Sequence, residues 1–134
     1  MIGKTAGDAP YHAHIYYAAD ERSVAAALRE RLRAAQPGDP LSEIRFVGAL
    51  RDGKVGPHTV SQFEIHFDAR LLPVVEPVLA GSGLRVLIHP LTIDDLGDHT
   101  RLGRWIGTPV DLDLTVLDPP GVNQGFARFG KTDF

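Results

Sequence analysis

Two histidines spaced two residues apart are the side chains of this sequence best placed to share one chemical task. His12 and His14 lie in the segment 11–17, Tyr-His-Ala-His-Ile-Tyr-Tyr, whose composition is typical of a β-strand. Successive strand side chains point to opposite faces, so both imidazoles occupy one face, roughly 6.6 to 6.8 Å apart along the strand. Rotamer choice can bring two ring nitrogens onto one ion at that spacing. The pair predicts a metal site.

Further potential ligands follow along the chain. They are one carboxylate and four imidazoles: Glu64, His58, His66, His89 and His99. The chain has no cysteine, so any metal must be held by His, Asp or Glu. Nitrogen and carboxylate donors without sulfur suit Fe(II), Mn(II) or Zn(II). Two histidines with one carboxylate are typical of non-haem iron oxygenases, whereas three histidines with an open position suit zinc and a hydrolytic water. The residue types leave both possibilities open.

The hydrophobic pattern predicts the elements that must position these side chains. Apolar residues alternate in strands and recur at helical spacing in helices. The predicted strands are 11–17, 44–50, 60–67, 84–89 and 110–117, and the predicted helices are 20–36, 69–80 and a short turn or helix over 94–99. Asp20 and Asp68 are the expected helix caps, and Asp52-Gly53 is the expected hairpin turn between the second and third strands. Pro73 and Pro77 predict that the second helix is short or bent.

This order predicts an α+β fold of the ferredoxin-like type, a β-α-β-β-α-β sandwich with an antiparallel sheet and an additional C-terminal strand over 110–117. In the strand order 4-1-3-2, the first strand lies between the third and fourth. His12 and His14 would then lie beside Glu64, His66 and His89, on the face away from the helices. That face is expected to be left open, and a self-complementary homodimer is the natural way to cover it.

Length and composition restrict the class of protein. The 134 residues fit one domain over 1–134, and 43% hydrophobic residues are typical of a globular chain. The formal net charge of −3, without basic residues interleaved with aromatics, argues against nucleic acid as a partner. No stretch is apolar enough for a signal-peptide core or a bilayer span, so no membrane is expected and the protein is predicted to be cytoplasmic. The Pro/Gly-rich segment 118–134 is predicted to be a loosely held tail.

Several separated segments together resemble one known family. They are Tyr11-His12-Ala13-His14-Ile15-Tyr16-Tyr17, Gly56-Pro57-His58, Phe63-Glu64-Ile65, Val86-Leu87-Ile88-His89-Pro90-Leu91-Thr92 and Asp98-His99-Thr100. In this order and spacing they resemble the DOPA 4,5-dioxygenase family. The similarity covers about residues 10–117, which would form a dioxygenase-like core. Thr59 departs from a proline common after Gly-Pro-His, and His66 falls on a variable position.

The resemblance implies extradiol cleavage of a catechol-type ring by dioxygen, with Fe(II) as the expected cofactor and Zn(II) or Mn(II) as alternatives. Small catechols and dioxygen would be the partners. The metal ligands expected from it are His12, His14 and His89. Glu64 is the alternative ligand or a carboxylate that supports the ligands. His58 and His99 are then candidates for substrate orientation or proton transfer, because an imidazole titrates near neutral pH.

Three other functions compete with this hypothesis. Zinc held by the same histidines would activate water in a non-redox enzyme. A cupin also uses His-x-His, but two helical patterns in this chain make that fold a weaker alternative. A non-catalytic dimer could instead bind a small aromatic ligand on the open sheet.

Overall fold

The structure, a computed structural model, describes residues 6–118 and 129–130. Its strands are β1 (Pro10–Tyr16), β2 (Phe46–Val47), β3 (Gln62–Asp68), β4 (Arg85–Pro90) and β5 (Arg104–Ile106). Its α-helices are α1 (Arg22–Arg33), α2 (Leu72–Gly81) and α3 (Asp95–Asp98). No helix within these described residues has the length and apolar character needed to cross a membrane.

The five strands form one antiparallel sheet in the order β2-β3-β1-β4-β5. The central strand β1 pairs with β3 and β4, so that His12 lies opposite both His66 and His89, while His14 lies opposite Glu64. The predicted α+β class and the predicted placing of the first strand between the third and fourth are therefore confirmed.

One face of the sheet carries the main apolar core. Its strand residues alternate with the polar ones and are fully or almost fully buried against apolar residues of α1 and α2. The buried members are Ala13, Ile15, Phe63, Ile65, Phe67, Val86 and Ile88 from the sheet, and Ala25, Leu28, Leu32, Val75 and Leu79 from the helices. Because strand alternation has a period of two, this packing turns every intervening side chain toward the other face.

Neither predicted cap residue makes a capping hydrogen bond, although Asp68 occupies the N-cap position of the 3-10 turn before α2. A short 3-10 turn, Ala19–Glu21, precedes α1, and the carboxylate of Glu21 accepts the Ala18 N–H at 2.9 Å, so Asp20 does not cap the helix. Asp68 also makes no cap hydrogen bond, because its buried carboxylate forms ion pairs with Arg45 at 2.8 Å and Arg70 at 2.9 Å. At α1 it is the carboxylate of Glu21 that accepts a backbone N–H. At α2 the ion pairs of Asp68 with two arginines take the place of a cap hydrogen bond.

The prolines of the second helix occupy two different environments. Pro73 lies in the first turn of α2, where no intrahelical partner exists for a backbone N–H. Pro77 lies inside α2 and removes one hydrogen bond. The predicted short helix is observed as ten residues preceded by a 3-10 turn, Ala69–Leu71.

Three features of the predicted strands are wrong. The segment 44–50 contributes only the two residues of β2, and a longer loop replaces the predicted hairpin at Asp52-Gly53. The segment 110–117 is not a strand, and its residues Leu114–Val116 form a 3-10 turn. The additional C-terminal strand is β5, which pairs with β4. The alternation in 110–117 instead directs Val110 and Leu112 into a small apolar cluster beneath the polar face.

The sheet face opposite the helices is covered by the same chain, so the prediction of an open face is wrong. Val110 and Leu112 pack there with Tyr16, Leu87 and Trp105. All six histidines are at most 8% exposed. The predicted tail 118–134 lies largely outside the described residues, but Gly130 donates its N–H to His66 Nδ1 at 2.9 Å.

Candidate metal centre

Five elements bring seven chemically active side chains together in the interior. His12 and His14 come from β1, Glu64 and His66 from β3, and His89 from β4. His58 follows a tight turn in which Val55 and His58 exchange two backbone hydrogen bonds around Gly56-Pro57. His99 directly follows α3. The structure thus places every residue proposed from the sequence as a ligand or catalytic group in one buried cluster.

The group formed by His12, His14 and His89 offers three ligand atoms within 4.8 Å of one another. His14 Nε2 lies 2.9 Å from His89 Nε2. His14 Nδ1–H donates to Gln62 Oε1 at 3.1 Å, and His89 Nδ1–H donates to the carbonyl oxygen of Pro90 at 2.8 Å. Because those oxygens can only accept, the ring protons lie on Nδ1 and the two Nε2 lone pairs face each other. Two facing lone pairs repel unless a cation lies between them.

His12 supplies a second nitrogen environment that fits a bound cation. Its Nε2 is buried and makes no hydrogen bond to any residue of 6–118 or 129–130. Leaving a buried polar atom unsatisfied costs about 1–3 kcal/mol, and such atoms are uncommon in folded proteins. A metal ion would satisfy this nitrogen together with the two facing Nε2 atoms. The donor set therefore fits a divalent transition metal.

Burial keeps these imidazoles neutral, which is the form that can bind a metal. It lowers the pKa of His12, His14 and His89 well below 6.5, and repulsion from neighbouring imidazoles lowers each pKa further. The pKa of His58 is lowered for the same two reasons. A metal binds neutral imidazole, so the environment that makes protonation unfavourable also prepares the lone pairs.

A second group consists of His14, His58 and His99, with ligand atoms that also lie within 4.8 Å of one another. His58 Nδ1 lies 2.8 Å from the hydroxyl of Tyr16, and burial raises the pKa of Tyr16 far above its usual value, so the phenol stays protonated. His99 Nδ1–H donates to the carbonyl oxygen of Asp95 at 2.8 Å. His14 belongs to both groups, so His58 and His99 stand beside the first group and not apart from it.

Glu64 and His66 form a close pair at the other side of the cluster. His66 Nδ1 accepts the N–H of Gly130, so a neutral His66 carries its proton on Nε2, which lies 2.5 Å from Glu64 Oε2. The same carboxylate oxygen is 3.7 Å from His12 Nδ1. These three residues could also hold a metal by proximity alone. The tautomer of His66 argues against it as a ligand, because its remaining nitrogen donates to Glu64.

An open cavity of about 510 Å³ reaches this cluster at His99. Its lining residues are His99, Thr100, Trp105, Val110, Asp111, Leu112 and Leu114. His99 is buried, whereas Leu114 is 41% exposed, so the cavity runs from the surface to the imidazole of His99. It gives a small molecule a route to the second group.

Several contacts at the site have no clear signal in the sequence. Gln62 lies on the predicted polar face, but nothing in its sequence position shows that it holds the ring of His14. The carbonyl groups of Pro90 and Asp95 orient two further imidazoles, although every residue has such a group. The alternation of Gln62, Glu64 and His66 indicates only that Gln62 lies on the same sheet face as the histidines.

The sequence is similar to known proteins over most of its length. The model of the Dopa 4,5-dioxygenase family matches residues 11–116. A DOPA 4,5-dioxygenase of Amanita muscaria is 33% identical over 113 residues, which cover 80% of this chain and 49% of that protein. An uncharacterized 21.2 kDa protein of Botryotinia fuckeliana is 29% identical over 120 residues, covering 80% of this chain and 62% of that one. This chain thus spans about half the length of the Amanita enzyme.

A solved structure agrees in fold. The crystal structure of a protein from Nostoc punctiforme, described as a putative dioxygenase, superposes with a TM-score of 0.72 at 32% sequence identity. The match covers 86% of this chain and 96% of that one. Since the family match includes the segments that carry all six histidines, the chain belongs to the Dopa 4,5-dioxygenase family.

Proposed function

We propose that this protein is a metal-dependent extradiol dioxygenase acting on a small catechol-type ring. The observation that carries the proposal is the buried set of imidazole lone pairs, in which His14 Nε2 and His89 Nε2 face each other at 2.9 Å beside the unsatisfied His12 Nε2. In the proposed reaction the bond breaks between a hydroxyl-bearing ring carbon and the adjacent ring carbon that carries no hydroxyl. Both oxygen atoms of O2 enter the ring-opened product.

His12, His14 and His89 would hold the metal. Fe(II) is the proposed ion because the family relation favours a dioxygenase, with Mn(II) and Zn(II) as alternatives. When bound, Fe(II) would supply a redox-active Lewis acid for the catechol oxygens and dioxygen. Gln62 and the carbonyl oxygen of Pro90 hold the rings of His14 and His89 with Nε2 turned inward. Such contacts fix both the tautomer and the direction of a ligand.

His99 would accept a proton from a catechol hydroxyl, and His58 would orient the substrate. A catechol must lose protons as its oxygens become metal ligands, and a neutral imidazole can accept one. The hydroxyl of Tyr16 would hold His58 through Nδ1, and the carbonyl oxygen of Asp95 holds His99 through Nδ1–H. His99 would therefore present the lone pair of Nε2 as the proton acceptor. With Nδ1 accepting from Tyr16, His58 would carry its proton on Nε2 and would orient the substrate by donating a hydrogen bond from there.

Glu64 would act on the ligand set and on the charge of the site. Its carboxylate lies beside His12 and binds His66. A buried negative charge next to a ligand ring makes that ligand more basic and compensates for the charge of a bound divalent ion. Glu64 also remains the alternative ligand, since carboxylate oxygen suits iron as well as imidazole does.

The decisive experiment loads the purified protein with Fe(II) under anaerobic conditions and adds a panel of catechols with air-saturated buffer. We expect dioxygen uptake in a one-to-one ratio with catechol, together with a yellow ring-opened product. His14→Ala should lose both the iron and the turnover. Stoichiometric iron without dioxygen uptake for any catechol would overturn the proposal.

The same protein sample tests the second candidate, a non-redox zinc enzyme. An all-imidazole set of three proposed ligands is also a known zinc set, which is the observation that favours this alternative. Metal analysis of protein from its native source distinguishes the two. Zinc at one ion per chain, with no dioxygen uptake after replacement by Fe(II), would support the zinc enzyme.

A further inference from the structure

The cavity next to His99 has the size and walls of a site for a single aromatic ring. Its volume of about 510 Å³ lies within the usual range for small-molecule pockets. Trp105 forms part of the wall and stacks on Tyr16, with ring centroids 5.8 Å apart and planes 26° from parallel. Val110 and Leu112 add aliphatic surface. A flat apolar ligand would find both stacking and burial there.

The charges around this cavity are unbalanced. Among its described lining residues, Asp111 has the only carboxylate, and none is lysine or arginine. The cations of neighbouring segments are engaged elsewhere, since Lys54 pairs with Asp113 and Arg101 pairs with Asp94, each at 2.6 Å. Arg85 lies opposite Tyr16 in the sheet and does not line the cavity. Asp111 is therefore the one formal charge among the described lining residues, while the charge of Arg85 acts on Tyr16, the ring that stacks on Trp105.

We propose that this cavity selects aromatic rings bearing an ammonium group and disfavours rings bearing a carboxylate, with Asp111 as the counter-charge. The inference rests on the proposed function in identifying the ring as the substrate of the histidine cluster. The ring would lie against Trp105 with its reacting edge toward His99, and the substituent would extend toward the surface. Charge complementarity of this kind decides which of two similar ligands is bound.

Binding can be measured without metal or turnover, because Trp105 is the single tryptophan of the chain. Its fluorescence should respond to a ligand that stacks in the cavity. Phenethylamine and phenylacetate are matched probes, since they share a ring and carry opposite charges, and neither is a catechol. We expect phenethylamine to bind about three- to fivefold more tightly, as is typical for one partly exposed charge interaction.

Variants of Asp111 test the cause of the preference. Asp111→Asn should bring the affinity ratio of the two probes close to one, and Asp111→Lys should invert it. The control is Asp20→Lys, which changes the net charge by the same amount at an exposed position outside the cavity lining. Equal affinity for both probes in the unmodified protein, or a ratio that Asp20→Lys changes as much as Asp111→Lys does, would overturn the inference.

A parallel assay with catechols separates this inference from the proposed function. Dopamine is a catechol with a positive charge, like phenethylamine, and 3,4-dihydroxyphenylacetate is a catechol with a negative charge, like phenylacetate. The ratio of their kcat/KM values should change in the Asp111 variants in the same direction as the affinity ratio of the two probes. Turnover of both catechols at rates independent of Asp111 would refute the charge selection alone. A probe preference that follows Asp111, with no dioxygen uptake for any catechol, would support the charge selection and refute the dioxygenase.

Discussion

At the scale of single residues, the direction of each imidazole depends on what its other nitrogen binds. Gln62 and the carbonyl oxygens of Pro90 and Asp95 each accept from an Nδ1–H, and each leaves the opposite nitrogen for the interior. His66 is the reverse case, because its Nδ1 accepts a backbone N–H from Gly130. In each of these four histidines, one hydrogen bond to Nδ1 decides which ring nitrogen carries the proton and which nitrogen is left with a lone pair.

Replacing Gln62 should therefore weaken metal binding without removing a ligand. In Gln62→Leu the Nδ1–H of His14 loses its acceptor, and we expect the affinity for Fe(II) or Zn(II) to fall about 10- to 100-fold. Competition with a chromophoric chelator measures this change. Gln62→Glu keeps an acceptor oxygen and should stay close to the unmodified affinity. Equal affinities for Gln62→Leu and the unmodified protein would exclude this role for Gln62.

Acidification should destabilise the metal-free protein. Burial lowers the folded-state pKa of His12, His14, His58 and His89, so these rings stay neutral in the fold while the unfolded chain takes up protons below about pH 6.5. The free energy of unfolding should thus be fully retained above pH 6.5 and fall as the pH decreases, by up to about 1.4 kcal/mol per pH unit for each histidine.

Urea unfolding of chelator-treated protein between pH 7.5 and pH 5.5 measures the effect. His58→Gln removes one of the four groups, so the decrease in stability on acidification should be smaller for that variant. A free energy of unfolding that is constant or increases on acidification would show that these histidines are not held neutral.

At the scale of elements, regular strands hold one half of the site and short irregular segments hold the other. The strands β1, β3 and β4 supply His12, His14, Glu64 and His89 from a common face. His58 depends on the turn at Gly56-Pro57, where Gly56 has φ +56°. That conformation favours glycine, and the turn's two backbone hydrogen bonds fix the position of His58.

Gly56→Ala should disturb His58 while leaving the proposed metal ligands intact. We expect a loss of about 1 kcal/mol in the free energy of unfolding from the backbone strain, a lower kcat, and an unchanged metal content. Gly38→Ala is the matched control, since Gly38 also has positive φ and has no neighbour within contact distance of an added Cβ. That variant should lose comparable stability with normal kcat. Equal kcat values for the two variants would contradict the assigned role of the turn.

At the scale of the whole molecule, other segments of the chain cover the sheet face and thereby bury its polar strand residues in the interior. The segment containing Val110 and Leu112, α3 with His99, and the turn before His58 enclose the histidines. Burying so many polar rings is costly without a partner. A homodimer stays a prediction, but the open face from which we inferred it is covered within one chain.

Metal binding should compensate for this cost and stabilise the entire fold. A ligand that binds only the folded state adds about 2.7 kcal/mol at a concentration of 100 Kd. Thermal unfolding with and without Fe(II) or Zn(II) should show a Tm higher by roughly 10 °C with the metal, reversed by a chelator. His14→Ala combined with His89→Ala should show no metal-dependent change. A Tm that does not respond to any of these metals in the unmodified protein would refute the metal centre.

Much of the framework follows from sequence alone, because local periodicity records which face each residue occupies. The alternation in 11–17 and 60–67 places the histidines and Glu64 on one face, and the order of strands and helices predicts the neighbouring positions of β1, β3 and β4. The segment 110–117 shows the limit of that reasoning. It alternates like a strand, yet it packs over the site, because burial of Val110 and Leu112 outweighs the preference of the pattern.

Only the tertiary structure decides which nitrogens face one another and what encloses them. The contact of Gly130 with His66 joins residues 64 positions apart, and the carbonyl groups that orient His89 and His99 have no distinctive side chain behind them. Such contacts depend on how loops without periodicity pack over the sheet. The residue types of the candidate metal site are therefore readable from this sequence, whereas its tautomers, its enclosure and the charge at the cavity beside it arise from long-range packing.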